Sequence, residues 1–403
     1  MTTIDLADRR REARAAARWR HLADLDPLLL AAASALSALG VMLVWSATAA
    51  ELAVDGADTA AFAKRQAISV IIGLLLAYGV SRLPFTLFRV IAPWWYVAGV
   101  AAVLLTLTPL GTTVAGARAW LALPGGFTLQ PAEFTKIGLI LVLAALGSAS
   151  VLAVGRTRTL LRSVAVASLP IGIVLLQNDT GTMLVIAAFS FAVIVVGGAP
   201  RRWVFGLLAA AAVGAVLVVQ LHLLQDYQMD RLTSFLHLGR DGLTAGYNTM
   251  QARIAISGGG LLGQGWFQGA QTQGGFVPVN DSDFVFTVVA EEFGLLGATV
   301  VIALIAVVLW RGLLIAAEAD TLFARLVAVG IVAWLGFQAF ENIGMNLGIM
   351  PVTGVTLPFV SFGGSSVMAC WIAIGVLQVL HIRRRRGALI RPGVRPWRAV
   401  EHP

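Results

Sequence analysis

The sequence predicts an all-α polytopic membrane protein of about ten transmembrane helices, with a long extracellular loop between spans 7 and 8. Three observations carry this. Of 403 residues, 58% are hydrophobic and 12% charged, with a mean hydropathy of +0.84, far from the balance of a soluble domain. A bilayer core about 30 Å thick takes roughly 20 apolar residues per helix, and runs of that kind recur along the chain. Finally, Lys and Arg gather in short loops on one side of those runs, the asymmetry that orients membrane proteins. Since exposed backbone finds no partner in lipid, the runs must be helices and not open strands.

Taken in order, residues 1–24 form a basic N-terminus, expected in the cytoplasm. The apolar run from Leu28 to about residue 50 carries no small-residue cleavage site, so it is expected to be a retained first span and not a signal peptide. Spans are expected near 27–49, 66–81, 87–109, 132–149, 163–177, 182–198, 203–224, 284–310, 323–347 and 363–382, by hydrophobic pattern. An even number puts both termini on one side. With the N-terminus inside, the inner segments hold 22 of the 29 Lys and Arg residues. The membrane domain then runs over 25–382 and a basic cytoplasmic tail over 383–403. The run Arg383 to Arg386 reads as a positive-inside anchor. Segments 50–65, 110–131, 177–182, 225–283 and 348–362 fall on the outer side, and the loop 225–283 is longer than a connection needs. The formal charge of +8 and isoelectric point near 10.6 follow from this topology, with no call for nucleic acid. One cysteine, Cys370, allows no disulfide within the chain.

Charged residues inside spans need a reason, since each costs about 2.5 to 3.5 kcal/mol on insertion scales. Glu133 and Lys136 share one helix face at i, i+3. They can pair, or Lys136 can hold an anionic group beside Arg118 and Trp120. Asp179, in QNDTGT, suits a turn that caps the next helix. Glu291 and Glu292 sit side by side in the eighth span, about 100° apart around the axis. They are expected to meet a buried cation such as Lys136 or Arg253, or a substrate. Glu341, Asn342 and Asn346 suit interhelical hydrogen bonds. Residues 350–366 carry prolines and glycines that break a helix, which is tolerated only against protein or a wet cavity.

Eight glycines lie between Gly258 and Gly275. GLLGQG has no strand before it and no βαβ context, so it is no dinucleotide fingerprint. Its glycines are expected to let backbone amides approach one another or a phosphate. His222 and His237 lack a metal-ligand spacing, and no zinc site is expected. What remains is an outward-facing site with acids (Asp179, Asp281, Asp283), bases (Arg118, Lys136, Arg253) and Trp120. That set suits an anionic, polar substrate presented from the lipid. These residues alone leave open whether the substrate is moved or made to react.

Several stretches resemble the SEDS family (shape, elongation, division and sporulation) of peptidoglycan glycosyltransferases. They are GARAW at 116–120, LQPAEFTK at 129–136, QNDTGT at 177–182, QARIAISGGGLLGQGWFQGAQTQ at 251–273, SDFVFTVVAEEFGLLG at 282–297 and NIGMNLGIMPVTGVTLPFVSFGGSS at 342–366. GWFQGAQTQ and MPVTG resemble the RodA branch more than the FtsW branch. The resemblance implies polymerisation of lipid II on the outer face of the bacterial cytoplasmic membrane during elongation, with Asp283 as catalytic base. It implies substrate contacts from Arg118, Trp120, Glu133, Lys136, Asp179, Arg253 and Glu292, and a class B penicillin-binding protein as partner. No cofactor is called for, and a divalent cation (Mg or Mn) is left open. The family commonly has Pro where Asn178 stands and His-Thr where Asp281-Ser282 stand. A lipid-precursor flippase and a non-catalytic scaffold are the alternative readings.

Overall fold

The computed structural model describes residues 23–114, 116–123, 127–149, 156–220 and 245–390. The expected basic N-terminus, most of the cytoplasmic tail and the first part of the long loop therefore lie outside the described residues. Twelve helices are described: α1 (Pro27–Val54), α2 (Ala61–Ser81), α3 (Phe85–Leu105), α4 (Pro131–Ala149), α5 (Arg156–Leu176), α6 (Thr180–Val196), α7 (Arg201–Gln220), α8 (Ala245–Gly258), α9 (Ala270–Gln273), α10 (Val285–Ala317), α11 (Leu322–Leu347) and α12 (Gly364–Ile390).

Long helices stand at each of the ten expected segments. Eight are long and apolar enough to cross a membrane; α6, with 17 residues, is shorter, and α7 is outside both groups. Helix starts follow local chemistry. Asp26 caps α1 by accepting from the Leu29 amide, with Pro27 in the first turn, where its missing N–H costs nothing. Thr321 caps α11 in the same way, and Gly348 ends it in the left-handed region.

In its most apolar window α12 is 94% buried, against 28% for α2 and α3. It is thus wrapped by the other helices, while α2 and α3 present most of their surface outward. Trp334 of α11 and Trp371 of α12 are fully buried in one apolar core with α1, α4, α6 and α10.

Two expected loops are ordered structures. Residues 110–131, expected as a plain outer loop, hold a small antiparallel sheet: β1 (Gly111–Val114), β2 (Ala117–Leu123) and β3 (Phe127–Leu129) in sequential order. Leu121 lies opposite both Gly111 and Leu129, so β2 is the central strand. The sheet is docked where Arg118 N–H donates to Gln177 O at 3.1 Å.

The second is the glycine-rich segment. Helix α10 breaks at Gly294 (φ 64°, ψ −163°), which exposes backbone groups the helix no longer satisfies. The glycine loop meets them: Gln264 and Gly265 N–H donate to Glu291 O and Glu292 O at 2.9 and 3.0 Å, and Gly260 O accepts from Leu295 at 2.9 Å. A Cβ on Gly263 would sit 2.1 Å from Glu292 O, and one on Gly259 would sit 1.9 Å from Ala290 O. The glycines serve backbone approach to α10. This corrects the phosphate half of the expectation, since that backbone is occupied by the broken helix.

Candidate active site

At the end of the bundle that carries the sheet lies a cavity of about 360 Å³. Its wall comes from β2, the starts of α2, α4, α6 and α12, the residues before α10, and the irregular stretch after α11. Of the expected site residues, it brings together Trp120, Glu133, Lys136, Asp179 and Asp283, with Asp281 beside them.

Asp283 stands on a tightly held backbone. Val279 O accepts from the amides of Ser282, Asp283 and Phe284 at 3.3, 3.1 and 3.2 Å, so the segment turns and is not extended. Three successive carbonyls are then tied to other elements. Phe362 N–H donates to Asp281 O at 2.8 Å, Ser361 Oγ to Ser282 O at 2.5 Å, and Asn342 and Asn346 Nδ2 to Asp283 O at 2.8 and 3.0 Å. Asn346 Oδ1 also accepts from Thr287 N and Oγ1 on α10. Asn346 therefore makes the expected interhelical bond, to α10, whereas Asn342 bonds to the segments around Asp283 and Val355, outside the helices. Glu341 makes none among the described residues, although it is fully buried.

Asp281 and Asp283 both reach the cavity. Burial raises the pKa of the Asp281 carboxyl above its ordinary value of 3.8, and Glu51 adds to the rise.

On α4, Lys136 Nζ donates to Glu133 Oε1 at 2.8 Å and to Gln338 Oε1 at 3.0 Å. It also lies 4.6 Å from the Trp334 ring centroid. The Lys136 side chain is about 1% exposed and its ammonium is thus committed to protein partners. Asp179 caps α6, with Oδ1 accepting from Thr182 N–H at 3.0 Å and Oδ2 from Gln130 Nε2 at 2.9 Å. Burial raises its pKa, opposed by the Thr182 amide. Asn178, before it, has φ 62°, a left-handed conformation that Asn tolerates and Pro cannot adopt.

The wall does not include Arg118, Arg253 or Glu292. Arg118 is exposed and its guanidinium donates to Thr108 O at 2.9 Å. Arg253 lies against Gly348, whose added Cβ would meet Arg253 Cδ at 3.2 Å. Glu291 and Glu292 find neither Lys136 nor Arg253. Glu291 accepts from Gln271 N, Thr272 N and Thr272 Oγ1 at 2.6, 2.9 and 2.6 Å, and Glu292 from Ser46 Oγ at 2.5 Å. The two acids clamp α9 to α10 and α1.

Sequence reasoning passed over Arg65, Gln130 and Gln338, all on the wall. Gln338 was detectable as an amide inside an apolar span, and Arg65 as one of few cations on the side where topology puts almost none. Among the described residues, no group of three or more His, Cys, Asp or Glu converges on a metal position.

The cell cycle protein family FTSW_RODA_SPOVE matches residues 26–386. Relatives include a probable peptidoglycan glycosyltransferase FtsW of Nitrosococcus halophilus, 36% identical over 92% of this chain and 95% of that protein. Another is the peptidoglycan glycosyltransferase MrdB of Escherichia coli K12, 32% identical over 90% and 94%. The rod shape determining protein RodA of Thermus thermophilus superposes with a TM-score of 0.65 at 30% identity, covering 89% of this chain and 97% of that one. A chain of a peptidoglycan synthase complex superposes with a TM-score of 0.74 at 32% identity, over 89% and 98%. Relatives of both branch names match to similar extents, so identity does not separate RodA-like from FtsW-like. The extent of these matches and the shared helical fold place the chain in the SEDS family of FtsW, RodA and SpoVE proteins.

Proposed function

We propose that this protein is a peptidoglycan glycosyltransferase that polymerises lipid II into glycan strands. The observation that carries the reading is Asp283: a carboxylate on the cavity wall whose backbone is tied through three successive carbonyls to α11 and the 361–362 turn. A general base needs this kind of fixed placement. Asp283 takes the proton of the acceptor GlcNAc 4-hydroxyl. The oxygen attacks the anomeric carbon of the donor MurNAc with inversion, and the bond to the diphosphate breaks with its electron pair leaving on undecaprenyl diphosphate. Trp120 offers an aromatic face to a sugar. Glu133, Lys136 and Asp179 shape and polarise the wall, Lys136 through its field, as its donors are engaged. Arg118, Arg253 and Glu292 act at a distance, by holding the sheet, α8 and α9.

The charge asymmetry of the sequence supports placing the cavity end outside and both termini in the cytoplasm. GWFQGAQTQ and MPVTG support a role in elongation. A structural neighbour is described as coordinating polymerisation with crosslinking, and a class B penicillin-binding protein is the partner we propose here. The test is purified protein, with and without that partner, incubated with lipid II and scored for glycan strands. Movement of lipid II across vesicles without strand formation would overturn the reading in favour of a flippase.

A further inference from the structure

Among the described residues, two cations lie on the cavity wall, Lys136 and Arg65. Lys136 is engaged by Glu133, Gln338 and the Trp334 face. Arg65 is exposed, near the start of α2, and no carboxylate among the described residues pairs with it. Its neighbour Lys64 differs in this respect, since it pairs with Asp58 at 2.6 Å. A cation left unneutralised on a cavity wall, on the side where the chain keeps few, is placed for an anion.

The frame around Arg65 is the one that holds Asp283. The guanidinium lies 5.8 Å from the Phe62 ring centroid, and Phe62 packs on Phe362 with centroids 5.0 Å apart. Phe362 N–H in turn holds Asp281 O. Gln66 Nε2 donates to Ser361 O at 2.9 Å, and Ser361 holds Ser282 O. One turn further along α2, Ser69 also lines the cavity, and a Cβ on Gly364 would stand 3.0 Å from its hydroxyl. The start of α2 is thus seated against α12 and registered to the catalytic segment through two short paths.

We propose that Arg65 binds the diphosphate of the lipid-linked donor, an assignment that rests on the transferase reading above. A guanidinium suits a diphosphate because it stays charged and its planar fork meets two phosphate oxygens at once. As the bond from anomeric carbon to phosphate oxygen breaks, negative charge grows on the diphosphate beside Arg65, while the acceptor proton passes to Asp283. A cation fixed where that charge develops lowers the barrier as well as binding the ground state.

The test is binding of undecaprenyl diphosphate to the full-length protein in lipid nanodiscs. Arg65→Gln should weaken binding about tenfold or more, the worth of a hydrogen-bonded charge contact. Arg65→Lys should restore part of the loss, and Lys64→Gln should bind like wild type. Undecaprenol, which has the chain without the diphosphate, should not distinguish Arg65→Gln from wild type. Equal binding of undecaprenyl diphosphate by Arg65→Gln and wild type would overturn the assignment. So would a matching loss for undecaprenol, which would point to disturbed packing. Lipid II polymerisation by wild type is scored in parallel: its failure would sink the transferase reading, while the binding comparison still decides Arg65.

Discussion

The side-chain amide of Asn342 donates to the main-chain oxygen of Asp283 at 2.8 Å and to Val355 O at 2.7 Å. One NH2 group on α11 thereby joins the segment that carries the proposed base to the stretch that forms the facing wall. Asn342→Leu removes both bonds, leaving Val355 O short of this donor and Asp283 O held by Asn346 alone, at about 1 to 3 kcal/mol. We expect kcat on lipid II to fall while KM stays within about twofold, the pattern of a group that matters in the transition state only. Steady-state kinetics on folded protein decide it; an unchanged kcat would remove Asn342 from any positioning role.

For Asp283 itself, Asp283→Asn keeps shape and removes the base. Polymerisation should drop by about 10² to 10⁴, the usual worth of positioned general-base catalysis. Thermal unfolding should be near that of wild type, since the bonds from α11 to this residue run to its backbone oxygen, which the substitution keeps. Strand formation at the wild-type rate would refute the mechanism.

The pair Glu133–Lys136 is buried on both sides. Lys136→Ala leaves an uncompensated carboxylate and should cost about 3 to 5 kcal/mol of stability. Glu133→Gln combined with Lys136→Met should be less damaging than Lys136→Ala, because no charge is then stranded. Unfolding in detergent of Glu133→Gln, Lys136→Met and the double variant closes the cycle, and additive losses would show that the two side chains act independently.

Asp281 provides a pH dependence of known sign. Its folded-state pKa is raised by burial, so the folded protein favours the neutral acid. Stability from this group is present below the ordinary value of 3.8 and is lost as pH rises through the raised value. Asp281→Asn removes that loss. The variant should therefore melt higher than wild type at pH 7, with the gap closing as pH is lowered toward 4. A gap that widens on acidification would contradict the assignment.

Gly294 has φ 64°, and a Cβ there would stand 2.4 Å from Gly263 N. Gly294→Ala should destabilise by more than the roughly 1 to 3 kcal/mol of backbone strain alone, because the glycine loop must move as well. Limited proteolysis within residues 245–283 should quicken along with a lower melting temperature. A variant as resistant as wild type would show that the kink tolerates a side chain.

The helical membrane class and the places of its long helices were legible in the sequence by itself, because lipid obliges each span to satisfy its own backbone and to display an apolar run. Glu133 with Lys136, and Asp179 as a cap, were legible too, since both depend on spacing within one turn. Only the tertiary structure decided which distant polar residues meet. It brought Asp283 to Asn342, gave Glu291 and Glu292 to the loop, turned the glycines against a broken helix, and set Arg65 on the cavity wall where Arg118 is absent. Those outcomes depend on how helices pack and on which way a strand or turn faces. No local pattern encodes such geometry, because side chains far apart in sequence converge only after the apolar faces have closed on one another.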